Sequence, residues 1–260
     1  MRRFPVIWIL AGFAAGVFGL FAPATAQIGP EPRVGSRIPQ KAETASREFT
    51  RDTIRHFADC VVKRQPKLAR EFVLDRSTLQ FGNRYYSLAD SYCLGLQSDP
   101  FYDEIALKMG GDTMRFALAE ALLQSEFAKI DPANFTTVAP LVLPALEEKN
   151  YQPETNRSYT PEELKKLDEN RRRDLLTLVE YRFGECVGRA DPEGSRTFLQ
   201  AMAESDAEGV ALQALMPALS SCVEKGAQFK LDRTVLRGAV ALAYYSLAHA
   251  PKAAVPAAAH

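Results

Sequence analysis

Phe57–Pro66 reads FADCVVKRQP, and Phe183–Pro192 reads FGECVGRADP. Phe, Cys, Val and Pro hold the same places in both stretches, 126 residues apart. Arg70 and Phe72 match Arg196 and Phe198 at that offset; Cys93 matches Cys222 at 129, and Arg115 matches Arg237 at 122. Ala117, Ala119 and Ala121 then match Ala239, Ala241 and Ala243. The drift in offset is that of short insertions and deletions between fixed points. Recurrence of this order, with all four cysteines taking part, describes two units written on one plan.

Working outward, each unit reads as helical. Phe49, Thr53, Phe57, Cys60, Val61 and Arg64 recur at spacings of three and four, which predicts a helix from Ser46 that Pro66 ends or kinks. A short helix over KLAREFVL, a third over NRYYSLADSYCLG and a long apolar one from Asp112, with Asp112 as its cap, follow. In the second unit Thr160, Pro161 and Glu163 form a capping-box start. That helix is predicted to run to Arg189 with Leu164, Leu167, Leu175, Leu178, Val179, Phe183, Cys186 and Val187 inward. EIALKM (104–109) and AQFKLD (227–232) alternate just before the last helix of each unit and are candidates for a minor two-stranded ribbon.

Residues 131–159 hold Pro132, Pro140, Pro144 and Pro153 and form the connection. Its middle, APLVLPAL, is too apolar for a free linker and is predicted to pack across the junction. The fold class expected is all-α: helical units 46–130 and 160–250, related by a pseudo-twofold axis and each stapled by one disulfide. A tail, 251–260, is expected to be disordered.

The first 26 residues have another character. MRR is followed by an uncharged apolar run and by small residues two apart in ATAQ, as in a secretory signal peptide cut after Ala26. The apolar run is nearly long enough to span a bilayer, so an uncleaved anchor stands as the alternative. Residues 27–45, with three prolines and two glycines, read as a disordered leader. Cleavage would leave 30 basic residues against 32 acidic ones. That balance gives no electrostatic reason to bind nucleic acid or an anionic membrane. The location expected is periplasmic or secreted, where paired thiols become disulfides.

Four cysteines allow three pairings. A duplicated plan selects Cys60–Cys93 and Cys186–Cys222, because each unit must carry its own bridge. Free buried thiols or a metal are the alternatives; no C-x-x-C occurs, so zinc-knuckle and thioredoxin-like spacings are absent.

Chemistry is sparsely signalled. G-x-S-x-G, H-E-x-x-H, the phosphate-binding glycine loop and the dinucleotide fingerprint are missing, and no cofactor is expected. His56, one turn before Cys60, would suit a two-ligand metal corner, but Arg182 takes its place in the second unit, so it reads as a surface residue and no metal is expected. His249 suits the end of the last helix and His260 lies in the tail. Asp59 and Glu185 each precede the first cysteine of a unit. Arg70, Arg115, Arg196 and Arg237 read either as structural arginines bonding carboxylates or helix-end carbonyls, or as forks around an anionic ligand. KKLDENRRRD, with Arg171–Arg173, reads as a solvated face. Tyr85–Tyr86 and Tyr244–Tyr245 are each expected to put one ring inward and one near the surface.

On F-x-x-C-V near a following proline, with a second cysteine downstream and the whole in tandem, the chain resembles a group of exported alphaproteobacterial proteins. The resemblance covers both cysteine units and implies a compartment, not a reaction. Three functions fit the sequence: a non-catalytic module that binds an envelope protein or another partner, a periplasmic hydrolase using carboxylates or His56 between the units, and a carrier of a small anionic ligand.

Overall fold

Pro66 and Pro192 interrupt the chain in the same way. Each lacks an N–H, cannot continue the preceding helix and suits the first position of a new one. Thus α1 (Arg47–Arg64) gives way to α2 (Pro66–Leu74), and further along α4 (Pro161–Ala190) gives way to α5 (Pro192–Gln200). The computed structural model describes residues 47–77, 79, 82–94, 111–130, 135–223 and 232–251, all within the unit Ala45–His260. The expected signal peptide, the leader, the alternating segments 104–109 and 227–231, and the tail beyond residue 251 lie outside the described residues. Among the described residues none forms a β-strand, and no helix is long and apolar enough to cross a membrane.

The remaining helices are α3 (Gly111–Glu126), α6 (Asp206–Ser221) and α7 (Arg233–His249). The expected third helix, 83–95, is instead two 3-10 turns, Asn83–Leu88 and Ser91–Leu94. Asp90 explains the break: its carboxylate accepts the Tyr92 N–H at 3.0 Å, a local bond that competes with helix continuation. The second half places the full helix α6 at the corresponding point.

α1 lies on α3 and α4 on α7; α2 lies on α3, and α5 on α6 and α7. α3 and α7 pack against each other at the centre. One core runs through both halves, from Phe57, Val61 and Phe72 through Leu118 and Leu122 to Tyr181, Phe198 and Tyr244. Every residue of α7 from Leu236 to Leu247 is buried, as befits a helix enclosed on all sides. Tyr244 and Tyr245 are therefore both interior, which corrects the expectation of one inward ring. Tyr85 is buried and Tyr86 exposed, as the alternation suggested.

Both disulfides have the pairing read from the repeat. Cys60–Cys93 ties α1 to the second 3-10 turn, and Cys186–Cys222 ties α4 to the end of α6; the Cα atoms lie 5.5 and 5.7 Å apart.

α4 starts as its sequence requires. Thr160 Oγ1 accepts the Glu163 N–H at 3.2 Å, and Glu163 Oε2 accepts the Thr160 N–H at 2.8 Å. Its inward face departs from expectation. Leu164, Leu175, Val179 and Cys186 point outward, while Asp174, Thr177, Tyr181, Gly184 and Gly188 join Phe183 and Val187 inside. The cause is a close crossing: a Cβ on Gly184 would lie 2.2 Å from the Ala239 carbonyl oxygen of α7. Backbone proximity, not leucine content, sets the phase of the helix. Leu141, Leu143 and Pro144 of the connection lie against the body, held where Arg189 donates to the carbonyls of Phe135, Val138 and Ala139 at 2.7, 2.9 and 2.8 Å.

Candidate functional site

The recurring arginines are occupied by the protein itself. Arg115 and Arg237 do one job in the two halves. Arg237 Nη1 and Nη2 donate to the carbonyls of Phe198, Leu199 and Ala201 at 2.8, 2.8 and 3.0 Å, at the end of α5. Arg115 donates to the carbonyl of Asp75, which follows α2 as Ala201 follows α5. Their guanidinium carbons lie 4.6 Å from the Phe72 ring (Arg115) and 5.4 Å from the Phe198 ring (Arg237). Arg237 also meets Glu120 at 2.6 Å and the fully buried Glu208 at 3.2 Å. The helix-end carbonyls have lost their helical partners, and the arginines satisfy them.

Arg70 and Arg196 reach further. Arg196 donates to the carbonyls of Phe127 and Ile130, just past α3 of the other half, at 3.0 and 3.1 Å. Arg70 donates to Tyr245 Oη of α7 at 3.1 Å and to Glu126. These bonds raise its already high pKa, Glu126 first and Tyr245 second. The structure does not gather the four guanidinium groups about one cleft; each holds a helix end or a carboxylate.

His56 is 70% exposed and stands 3.9 Å from Asp52, while the Cys60 sulfur is committed to Cys93. The two-ligand corner does not form. Among the described residues no three His, Cys, Asp or Glu side chains come together as a metal site. His249 sits 3.4 Å from Glu126 and its Nδ1 lies 2.8 Å from the Tyr245 carbonyl oxygen. Glu185 accepts the Leu141 N–H and an Arg189 N–H, both at 2.9 Å, and so tethers the connection.

The structure reveals a different site. A cleft of about 1560 Å³ opens between the halves, walled by α1 and α3 on one side and by α4 and α7 on the other. The turn at Asn150–Tyr151 and the α5–α6 loop complete its rim. Ile54, Leu79, Phe116, Leu176, Met202 and Val235 give it apolar surface. Its cations are already matched: Arg51 to Glu204, Arg55 to Asp52 at 2.7 Å, Arg173 to Asp174 at 3.8 Å, and Arg237 to Glu120. Asp59 of α1, Asp112 of α3 and Glu180 of α4 also line it, and no basic side chain among the described residues forms an ion pair with any of the three.

Asp112, expected to cap α3, lies in its first turn and turns to α4, where Thr177 Oγ1 donates to Oδ2 at 3.0 Å. Its Oδ1 is buried without a hydrogen-bond partner. Tyr151 donates to Asp174 at 2.5 Å. Burial raises the pKa of Asp112; the charge of Asp174 adds to this, while Thr177, Arg115 and Arg173 oppose it. Burial, then the neighbouring charge of Asp112, pushes Glu180 up to about 7. Burial and the bond to Asp174 push the Tyr151 phenol up as well.

Sequence reading singled out none of Asp112, Tyr151, Asp174 or Glu180 as a site residue. The available signal was a polar Asp174-x-x-Thr177-x-x-Glu180 spacing on one side of a leucine-bearing helix, and it was masked by the apparent leucine stripe. Comparison with known proteins finds no matching family, no similar curated protein and no similar solved structure.

Proposed function

We propose that the protein is an exported, non-catalytic binding module that takes its ligand into the cleft between its halves. The observation that carries this is the charge of the lining: every cation has a carboxylate, and three carboxylates from three helices have no cation. An uncompensated negative cleft with apolar walls suits a ligand with alkylammonium groups on an apolar chain. The volume exceeds the usual range of compact small-molecule pockets, about 300–1,000 Å³, and favours an extended ligand. The two disulfides, the basic-then-apolar N-terminus and the resemblance to exported proteins support a periplasmic or secreted setting. We read the two halves as copies of one ancestral unit, supported by the matched roles of Arg115 and Arg237.

Titration calorimetry of the oxidised protein with spermidine and with trilysine amide tests the reading, and the two probes separate a free polyamine from a basic peptide. At least one is expected to bind, and Asp112→Asn with Glu180→Gln is expected to weaken it by about tenfold or more, the scale of a lost close charge pair. Failure of both cations to bind, or affinity unchanged in the double variant, overturns it.

A second reading, a hydrolase in the same cleft, draws on Glu180: a carboxyl that titrates near neutrality beside other acids has the properties of a general acid–base. Turnover of ester, peptide or glycoside substrates, abolished by Glu180→Gln, would favour it over binding. The anion-carrier reading gains no support, because Arg70, Arg115, Arg196 and Arg237 are spent on the protein's own carbonyls and carboxylates.

A further inference from the structure

The leucines of α4 that turn away from the core share one stripe. Leu164, Asp168, Arg171, Leu175 and Leu178 follow one another at spacings of four, three, four and three, the heptad period of a coiled-coil seam. They lie on the side of the helix opposite Thr177, Gly184 and Gly188, which meet the body. Leu164 is 42% exposed, Leu175 38%, and Val179 beside the seam 46%. α4 has 30 residues, about 45 Å, against 17 residues and about 26 Å in α7, on which it packs. None of its residues before Asp174 is buried, so its first three turns stand clear of the core.

We propose that this stripe is the seam of a homodimer, in which α4 packs antiparallel against α4 of a second copy of the chain.

The charges in the stripe choose the occupant. A twofold axis passing between residues 169 and 170 sets Leu164 against the second copy's Leu175 and Asp168 against the second copy's Arg171, and each contact recurs by symmetry. These are the layers that antiparallel heptads form. Parallel packing in register would set Asp168 on Asp168 and Arg171 on Arg171, like charge on like, and so is disfavoured. Asp168 makes no hydrogen bond or ion pair among the described residues. Arg171 donates Nε and Nη2 to Glu148 at 2.8 and 2.9 Å, which holds its fork beside the stripe, and Nη1 has no hydrogen bond among the described residues. Lys165, on the flank, is matched within its own helix by Glu169 at 3.6 Å.

The helix is ordered before it pairs. The Thr160–Glu163 cap starts it and the body holds its far half, so association has little order to impose. Four layers make a small interface, below about 1,200 Å², which suits a reversible dimer rather than a permanent one. The cleft reaches α4 on its other side, at Asn170, Arg173 and Thr177, and stays open in the dimer. The proposal is therefore independent of the binding reading.

Analytical ultracentrifugation of the intact, oxidised protein tests the seam. It is expected to pass reversibly from monomer to dimer between about 1 µM and about 1 mM, the range of a small interface. Leu175→Glu is expected to weaken the dimer by about tenfold or more, and Asp168→Arg and Arg171→Asp each to do the same. An equimolar mixture of the last two variants is expected to dimerise again, because one chain then offers two cations and the other two carboxylates. Recovery in the mixture also shows that both variants fold. Cross-linking reads the register separately: under mild oxidation Leu164→Cys mixed with Leu175→Cys is expected to link more than either variant alone. A monomer at every concentration overturns the proposal and leaves the stripe to a different partner. A dimer indifferent to all three substitutions overturns it as well, as does a mixture that neither dimerises nor cross-links.

Discussion

Arg237 shows how much one side chain carries. It is 1% exposed, and Glu208 beside it is fully buried. Truncation to alanine would strand the carbonyls of Phe198, Leu199 and Ala201 and take from Glu208 its nearest cation, leaving it Arg51 and Arg233 at 3.8 and 3.7 Å. Removing one partner of a buried pair costs about 3–5 kcal/mol, far more than an exposed pair contributes. Denaturant unfolding of Arg237→Ala is expected to show a loss of this size, and Arg237→Lys should recover only part of it, since an ammonium lacks the fork. The recurrence of Arg115 and Arg237 was legible as a pattern. Their partners were not, because the carbonyls they serve lie 36–40 residues away and carry no residue-type signal. Glu180 was silent for a related reason: its character comes from burial and from Asp112 on another helix, neither written in its local sequence.

At the scale of the helix, starts and stops were the readable part. Thr160, Pro161 and Glu163 form a cap by local chemistry, and Pro66 and Pro192 break the chain by local sterics. The phase of α4 was not readable, because it is set by Gly184 meeting α7. A methyl group at that position must displace the Ala239 carbonyl. Gly184→Ala is expected to cost about 1–3 kcal/mol, the range of an overpacked core, despite the better helix propensity of alanine. The same change at Gly209, where an added Cβ would meet nothing within 4 Å, should be neutral or slightly stabilising. Paired chemical-unfolding curves for the two variants separate crossing geometry from propensity. NRYYSLADSYCLG misleads for another reason: Asp90 offers the backbone a local bond that a helix does not.

At the scale of the molecule, the duplicated cysteine plan correctly announced the two bridges, spanning 33 and 36 residues. Loop closure of that length is worth about 4 kcal/mol per bridge in the chain-entropy account. Reduction is expected to lower the thermal midpoint markedly, and Cys60→Ala with Cys93→Ala should reproduce part of the fall; calorimetry with and without reductant checks both. The shared core was less legible, since the α3–α7 pairing joins surfaces that each unit's own periodicity shows only as apolar. The cleft follows from that pairing and was invisible for the same reason.

Arg196 grips the carbonyls past α3, and Arg70 grips the tyrosine of α7. The grip crosses from each half to the other, so timing matters during synthesis. A ribosome that has delivered only the first ~150 residues has made a surface whose matching pieces are still unwritten. Such an intermediate has no finished interior, and it must be shielded from proteases and from its own kind until the final helix arrives. Ending the chain just before Arg233, and so removing α7, would therefore empty the middle of the molecule rather than trim its edge.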